Sequence, residues 1–144
     1  MYKCKWRSSS RNTVWKKILN EGDLINIDVS AELNDFWSDN GGSFVLGKDI
    51  HNHQPLVDAS KQILYKAIHN IKGGVKISEI GYLIESEAKK RGLKVIKNLA
   101  GHGVGRSLHE EPENILNYKV KTNRERFKKT RLLLLKLLFQ RIRL

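Results

Sequence analysis

One cysteine in 144 residues, Cys4, excludes a disulfide framework and leaves no cysteine-rich zinc site. No apolar run reaches the roughly 18 residues that a membrane-spanning helix needs, and no internal repeat is visible. The basic run Met1–Arg7 continues into Ser8-Ser9-Ser10-Arg11 instead of an apolar stretch, which argues against a secretory signal. These absences lead to the expectation of a cytoplasmic protein with no membrane partner. The chain is long enough for one domain with a core, yet short for a metalloenzyme whose site gathers distant segments.

Acidic residues are nearly missing from both ends. Residues 1–17 carry six basic and no acidic side chains, and residues 119–144 carry ten basic and one acidic. Against a total of +12, the 101 residues between them sum to −3. A mildly acidic body therefore lies between two basic ends, and the overall charge is no argument that the body binds a specific nucleic acid.

The body reads as mixed α and β structure with short connections. Leu24-Ile25-Asn26-Ile27-Asp28-Val29 alternates apolar and polar residues, as does the region of Ser43-Phe44-Val45-Leu46, and Asn34-Asp35 between them is a turn signal; an antiparallel hairpin is expected. From about Gln54 to Ile71, Leu56, Ile63, Leu64, Ala67, Ile68 and Ile71 form one apolar face at helical spacing, stopped by Gly73-Gly74. Ser78 with Glu79 is expected to cap a second helix, whose face is Ile80, Ile84 and Ala88 and whose end is Lys89-Lys90-Arg91-Gly92. Leu93 to Ile96 reads as a short strand leading into Gly101-His102-Gly103-Val104-Gly105.

Two groups of residues point to chemistry. Asp28 and Asp39 fall in the two hairpin strands, and a turn centred near Leu33-Asn34 sets them almost opposite each other. Paired carboxylates repel unless a cation lies between them, and carboxylate with imidazole suits manganese, iron, cobalt or zinc. The alternative for either aspartate is an ordinary surface carboxylate. More informative is Gly101-His102-Gly103-Val104-Gly105-Arg106-Ser107-Leu108-His109-Glu110-Glu111-Pro112, where two histidines seven residues apart flank what reads as a glycine-rich turn. A phosphate loop fits poorly, because no Gly-Lys-Ser/Thr follows. Phe36-Trp37, just before Asp39, either line a pocket or pack, with packing favoured, and Trp6 and Trp15 fall in the basic N-terminal end.

The string Glu21-Gly22-Asp23-Leu24-Ile25-Asn26-Ile27-Asp28, then Asp39, then Gly101 to Pro112 resembles the type I methionine aminopeptidases in order and spacing, over roughly residues 16–129. The resemblance implies an α+β, partial pita-bread (creatinase/aminopeptidase-like) domain of an antiparallel hairpin, two helices and further strands. It implies a two-metal site holding cobalt, manganese, iron or zinc, removal of the initiator methionine from nascent chains near the ribosome, and a monomer. By the same resemblance Asp28, Asp39 and His102 match metal ligands, and His109 matches a residue that binds substrate and steadies the transition state. Proline-specific aminopeptidases share that fold, with a histidine spacing less similar to this one.

The family also uses an upstream substrate-binding histidine and two glutamate ligands, which have no counterpart in this reading frame. At most weak binding of a single metal is expected, and an inactive or impaired chain. Back-translating Met1 to Val14 and reading one base later permits C-I-S-V-N-G-E-V-A-H-G-I-P, similar to the family's upstream histidine segment. Reading Leu132 to Gln140 two bases in permits I-A-I-E-A/T-F-I-S, which restores a glutamate. The expected organisation is thus an out-of-frame segment over 1–15, a partial catalytic domain over 16–129, and an out-of-frame basic, leucine-rich tail over 130–144. Without strands after Lys129 a sheet edge stays uncovered, so low stability and poor solubility are expected. Two rival readings are a non-catalytic binding module of the same shape and, for residues 128–144, a basic amphipathic helix on membrane or nucleic acid.

Overall fold

In a computed structural model, residues 18–129, 132–135, 137 and 139–141 are described. The expected hairpin forms from β1 (Leu24–Leu33) and β2 (Phe36–Val45). Its two-residue turn, Asn34-Asp35, has φ of 51° and 63°. Both values lie in the left-handed region, which asparagine and aspartate tolerate better than other non-glycine residues. Trp6 and Trp15, and the whole of the segment 1–15, lie outside the described residues.

Helix α1 (Gln54–Asn70) begins under Asp49, whose carboxylate accepts the backbone N–H groups of His53 at 2.6 Å and Gln54 at 2.8 Å. That satisfies two of the donors a helix start leaves orphaned. The buried face is Val57, Ile63 and Ala67, rotated from the expected one, so that Ile68 is 48% exposed. Helix α2 (Ile77–Lys90) buries Ile80, Ile84 and Ala88 as expected. Its cap differs: Lys76 occupies the N-cap, and the Ser78 hydroxyl donates to the carbonyl of Asn123 at 3.2 Å. Packing to the 118–129 segment has claimed the side chain that local sequence assigned to the helix start.

Five short strands follow: β3 (Leu93–Val95), β4 (Ala100–Val104), β5 (Glu110–Leu116), β6 (Leu132–Leu134) and β7 (Phe139–Arg141). They form a three-stranded antiparallel sheet in the order β5-β4-β6 and a β3-β7 pair. The glycine-rich segment expected as a turn is therefore the central strand β4, and the turn lies beyond it. The physical reason is close approach. A Cβ on Gly101 would strike the backbone of Leu134 in β6, and one on Gly103 the backbone of Glu111 in β5.

The core lies where α1 and α2 meet this sheet, with Ile63, Ala67, Ile77, Ile80, Ile84 and Ala88 packed against Leu93, Ile115, Phe127 and Phe139. Gly81 lets α2 lie directly on the carbonyls of Leu116 and Tyr118, where any side chain would collide. The tail corrects two expectations. Its described residues form strands and not an amphipathic helix, and those strands cover edges expected to be bare. Leu133, Leu135 and Leu137 pack against the core at the two-residue period of a strand, and Phe139 is buried.

One ion cluster fastens the helices. Glu87, 6% exposed on α2, meets Lys66 of α1 at 3.0 Å, Lys90 at 2.8 Å and Arg91 at 2.8 Å. Hydrogen bonds from Arg91, then Lys90, then Lys66 hold its carboxyl down from 4.5 to about 2, against the opposing effect of burial. A carboxyl with a depressed folded-state pKa stabilises fully above its unfolded value. The melting temperature is therefore expected to fall as pH drops from 4.5 towards about 2, and Glu87→Gln should melt lower at pH 7 with a flatter acid limb. A Phe139→Ala substitution should cost about 3 kcal/mol in denaturant unfolding; an unchanged midpoint would show that the tail is not part of the core.

Candidate metal and substrate site

The hairpin register decides how the two aspartates sit. The turn is centred on Asn34-Asp35, so Asp39 pairs with Ser30 and Asp28 with Gly41. Asp28 and Asp39 are thus diagonal neighbours on one face, not opposite each other, because the turn falls one residue later than the expected centre and shifts the pairing by two. Ser30 donates its hydroxyl to Asp39 Oδ1 at 3.0 Å and fixes that carboxylate. The sequence reading missed Ser30, although the correct register identifies it as the cross-strand partner.

His102 projects from β4 and is 5% exposed. Its Nδ1 lies 2.8 Å from the carbonyl oxygen of Gly103. Only a protonated nitrogen can make that bond, so in the neutral ring Nε2 carries a lone pair. Nε2 faces Asp39 Oδ2 at 3.6 Å. A carboxylate oxygen and an imidazole lone pair aimed at each other are a donor set for a shared cation or proton, with the Gly103 carbonyl orienting the ring from behind.

His109 lies on the turn between β4 and β5, exposed to solvent, and its ring sits 4.0 Å from that of His102 with the planes 31° apart. Two contacts hold this turn to the hairpin tip: the Trp37 N–H donates to the Gly105 carbonyl at 2.7 Å, and the Arg106 guanidinium lies 4.9 Å from the centre of the Phe36 ring. Phe36 is 57% exposed, so it neither packs in the core nor lines a pocket; it carries a cation instead. The sequence places Phe36 and Arg106 seventy residues apart with no pattern linking them.

Asp28 faces a different space. A cleft of about 270 Å³ opens between the hairpin and α1, with Asn26, Asp28 and Ser43 on one wall, Lys61 and Tyr65 on the other, and Leu134 closing it. Asp39, His102 and His109 do not line it. The structure therefore brings three of the four candidate residues together and sets Asp28 beside them along the same face. Among the described residues no group of three or more His, Cys, Asp or Glu side chains is placed to hold a metal. Asp39 and His102 offer two donors that one ion could share, and the described residues do not offer the donor set of a two-metal centre.

The chain is similar in sequence and fold to known proteins. Residues 4–134 match the family described as Metallopeptidase family M24. A methionine aminopeptidase of Staphylococcus epidermidis is 46% identical over 104 residues, which is 72% of this chain and 41% of that protein. Among solved structures, the methionine aminopeptidase of Thermotoga maritima superposes with a TM-score of 0.75 at 32% identity, covering 81% of this chain and 47% of that one. The methionine aminopeptidase of Rickettsia prowazekii gives 0.79 at 29%, covering 85% and 49%. The chain thus spans less than half the length of each of these relatives, and its α+β architecture is the corresponding part of their pita-bread fold. With its hairpin, both helices and the glycine strand inside the matched region, the chain belongs to metallopeptidase family M24.

Proposed function

We propose that this chain supplies part of a methionine aminopeptidase, a metal-dependent exopeptidase that hydrolyses the initiator methionine from nascent polypeptides. The observation that carries this reading is the buried pair of His102 Nε2 and Asp39 Oδ2, 3.6 Å apart, with His109 stacked at its rim. In this reading Asp39 and His102 are metal ligands and Asp28 is a third on the same hairpin face. An ion held there would supply Lewis acidity towards a peptide carbonyl and acidify bound water. His109, being exposed and adjacent, is placed to contact a substrate entering from solvent. The glycine-strand histidine spacing favours methionine aminopeptidases over proline-specific relatives. A substrate emerging from the ribosome implies a cytoplasmic site of action.

The chain's own residues support only an impaired version of that activity. The two-metal clamp needs carboxylates on both sides of the ions, one of them able to take a proton from water, and β6 presents Leu134 in register with His102. On the codon readings alone, we propose that 1–15 and 130–144 are translated out of frame around the partial catalytic domain 16–129; against this stand the family match over 4–134 and the pairing of β6 and β7 with the body. The lack of any three-residue ligand group among the described residues also favours a second reading, a metal-free binding module of the same shape.

Calorimetric titration with manganese or cobalt, run beside a methionyl-peptide assay, separates these readings. We expect at most one ion per chain, affinity reduced by more than about tenfold in Asp39→Asn and His102→Ala, and no turnover. Tight binding of two ions, or release of methionine, would overturn the impaired reading, and no binding at all would favour the module. The nucleotide sequence of the locus tests the frame assignment directly, since alternative frames that fail to encode the histidine and glutamate strings would end it.

A further inference from the structure

Part of the positive charge of the C-terminal stretch is folded onto the body of the chain. Residues 118–129 run as a strap antiparallel to residues 74–82, held by regularly spaced contacts. The Asn123 carbonyl accepts from Ser78, the Glu125 carbonyl from the Ile77 N–H at 2.9 Å, the Phe127 N–H donates to the Val75 carbonyl at 2.9 Å, and the Phe127 carbonyl accepts from the Gly74 N–H at 2.9 Å. Phe127, 3% exposed, anchors the strap in the core. With its backbone and apolar residues turned inward, the strap presents Lys119, Lys121, Arg124, Arg126, Lys128 and Lys129 to solvent.

The α1–α2 connection extends this surface. Lys76 forms a bridge with Arg126, the Arg126 guanidinium donates to the Gly74 carbonyl at 2.5 Å, and the side chain of Lys129 crosses Gly73, next to Lys72. Eight basic side chains thus share one surface with three acidic ones, Glu79, Glu111 and Glu125. Lys128 pairs with Glu111, 3.8 Å apart and about two-thirds exposed on each side, a contact worth little. The positive end of the α2 dipole lies beneath the strap and adds to the field.

The geometry points to this strap, together with Lys72 and Lys76, as a docking surface for the phosphate backbone of a nucleic acid, bound without regard to base sequence. Its charges are prepaid by a fixed backbone, so binding need not order the segment. One large aromatic side chain is exposed beside it, Tyr82 at 54%. Phe127 is buried, Tyr82 and Tyr118 each lie under a lysine, and Ile71, Val75 and Val120 are partly covered. A membrane-surface element pairs its charges with a continuous apolar face for insertion, and a single tyrosine beneath a lysine is not such a face. The inference does not rest on the metal site.

The test is fluorescence anisotropy of a labelled 20-nucleotide oligouridylate with the full chain across a salt series. The two charge-reversed variants compared carry the same net charge: Lys72→Glu, Lys121→Glu, Arg124→Glu and Lys129→Glu in the patch, and Lys3→Glu, Lys5→Glu, Arg7→Glu and Arg11→Glu at the N-terminal end. The patch variant should bind at least tenfold more weakly at low salt, with a log–log salt slope shallower by about 3, which is four phosphate contacts at about 0.7 each. The end variant should keep most of the slope. Equal losses in the two variants, or a larger loss in the end variant, would overturn the proposal, because net charge alone would then account for binding. So would tighter binding to phosphatidylserine vesicles than to the oligonucleotide. Substituting glutamine at the same four positions gives the same comparison if the reversed patch variant fails to fold.

Discussion

Strand β4 can lie between two neighbours because two of its five residues have no side chain, and the site depends on that close approach. Gly101 and Gly103 bring β6 and β5 to backbone contact on either edge. His102 between them is carried into the interior, and its ring is locked by the carbonyl of the next residue. A side chain at either glycine would push a strand away, uncover the imidazole and release the orientation that points Nε2 at Asp39. The same strand ends in the turn that carries His109, so one backbone constraint sets both imidazoles.

Much of the fold was legible because the relevant signals are local and periodic. The hairpin alternation, the turn residues Asn34-Asp35 and the α2 face of Ile80, Ile84 and Ala88 are each decided by neighbours close in sequence. What misled were residues whose role is set by distant partners. Ser78 looks like a cap until the strap supplies a better acceptor. Glycines 101 and 103 look like a turn until two other strands need their missing side chains. The leucines after Arg131 form too continuous an apolar run to read as a strand, and only pairing with β3 and β4 shows which of them face the core.

The candidate site was legible in type but not in geometry. The spacing of Asp28, Asp39, His102 and His109 was enough to place the chain in its family. A one-residue shift of the turn centre made the aspartates diagonal, and no local pattern exposed the contacts that hold the His109 turn against the hairpin, Trp37 to Gly105 and Arg106 to Phe36. Charge shows the same division. Counting residues separates an acidic body from basic ends, yet the strap shows basic side chains of the C-terminal stretch folded onto that body and anchored through Phe127.

Strand β6 joins the sheet through its backbone, and a leucine satisfies that ladder as well as an acid does. Leu134 stands in register with His102. Shape and chemistry are therefore separable in this architecture. A domain of this kind can lose the oxygen atoms its reaction needs while its sheet still closes and its helices still pack, so its persistence in a cell measures the durability of the scaffold and says nothing about turnover.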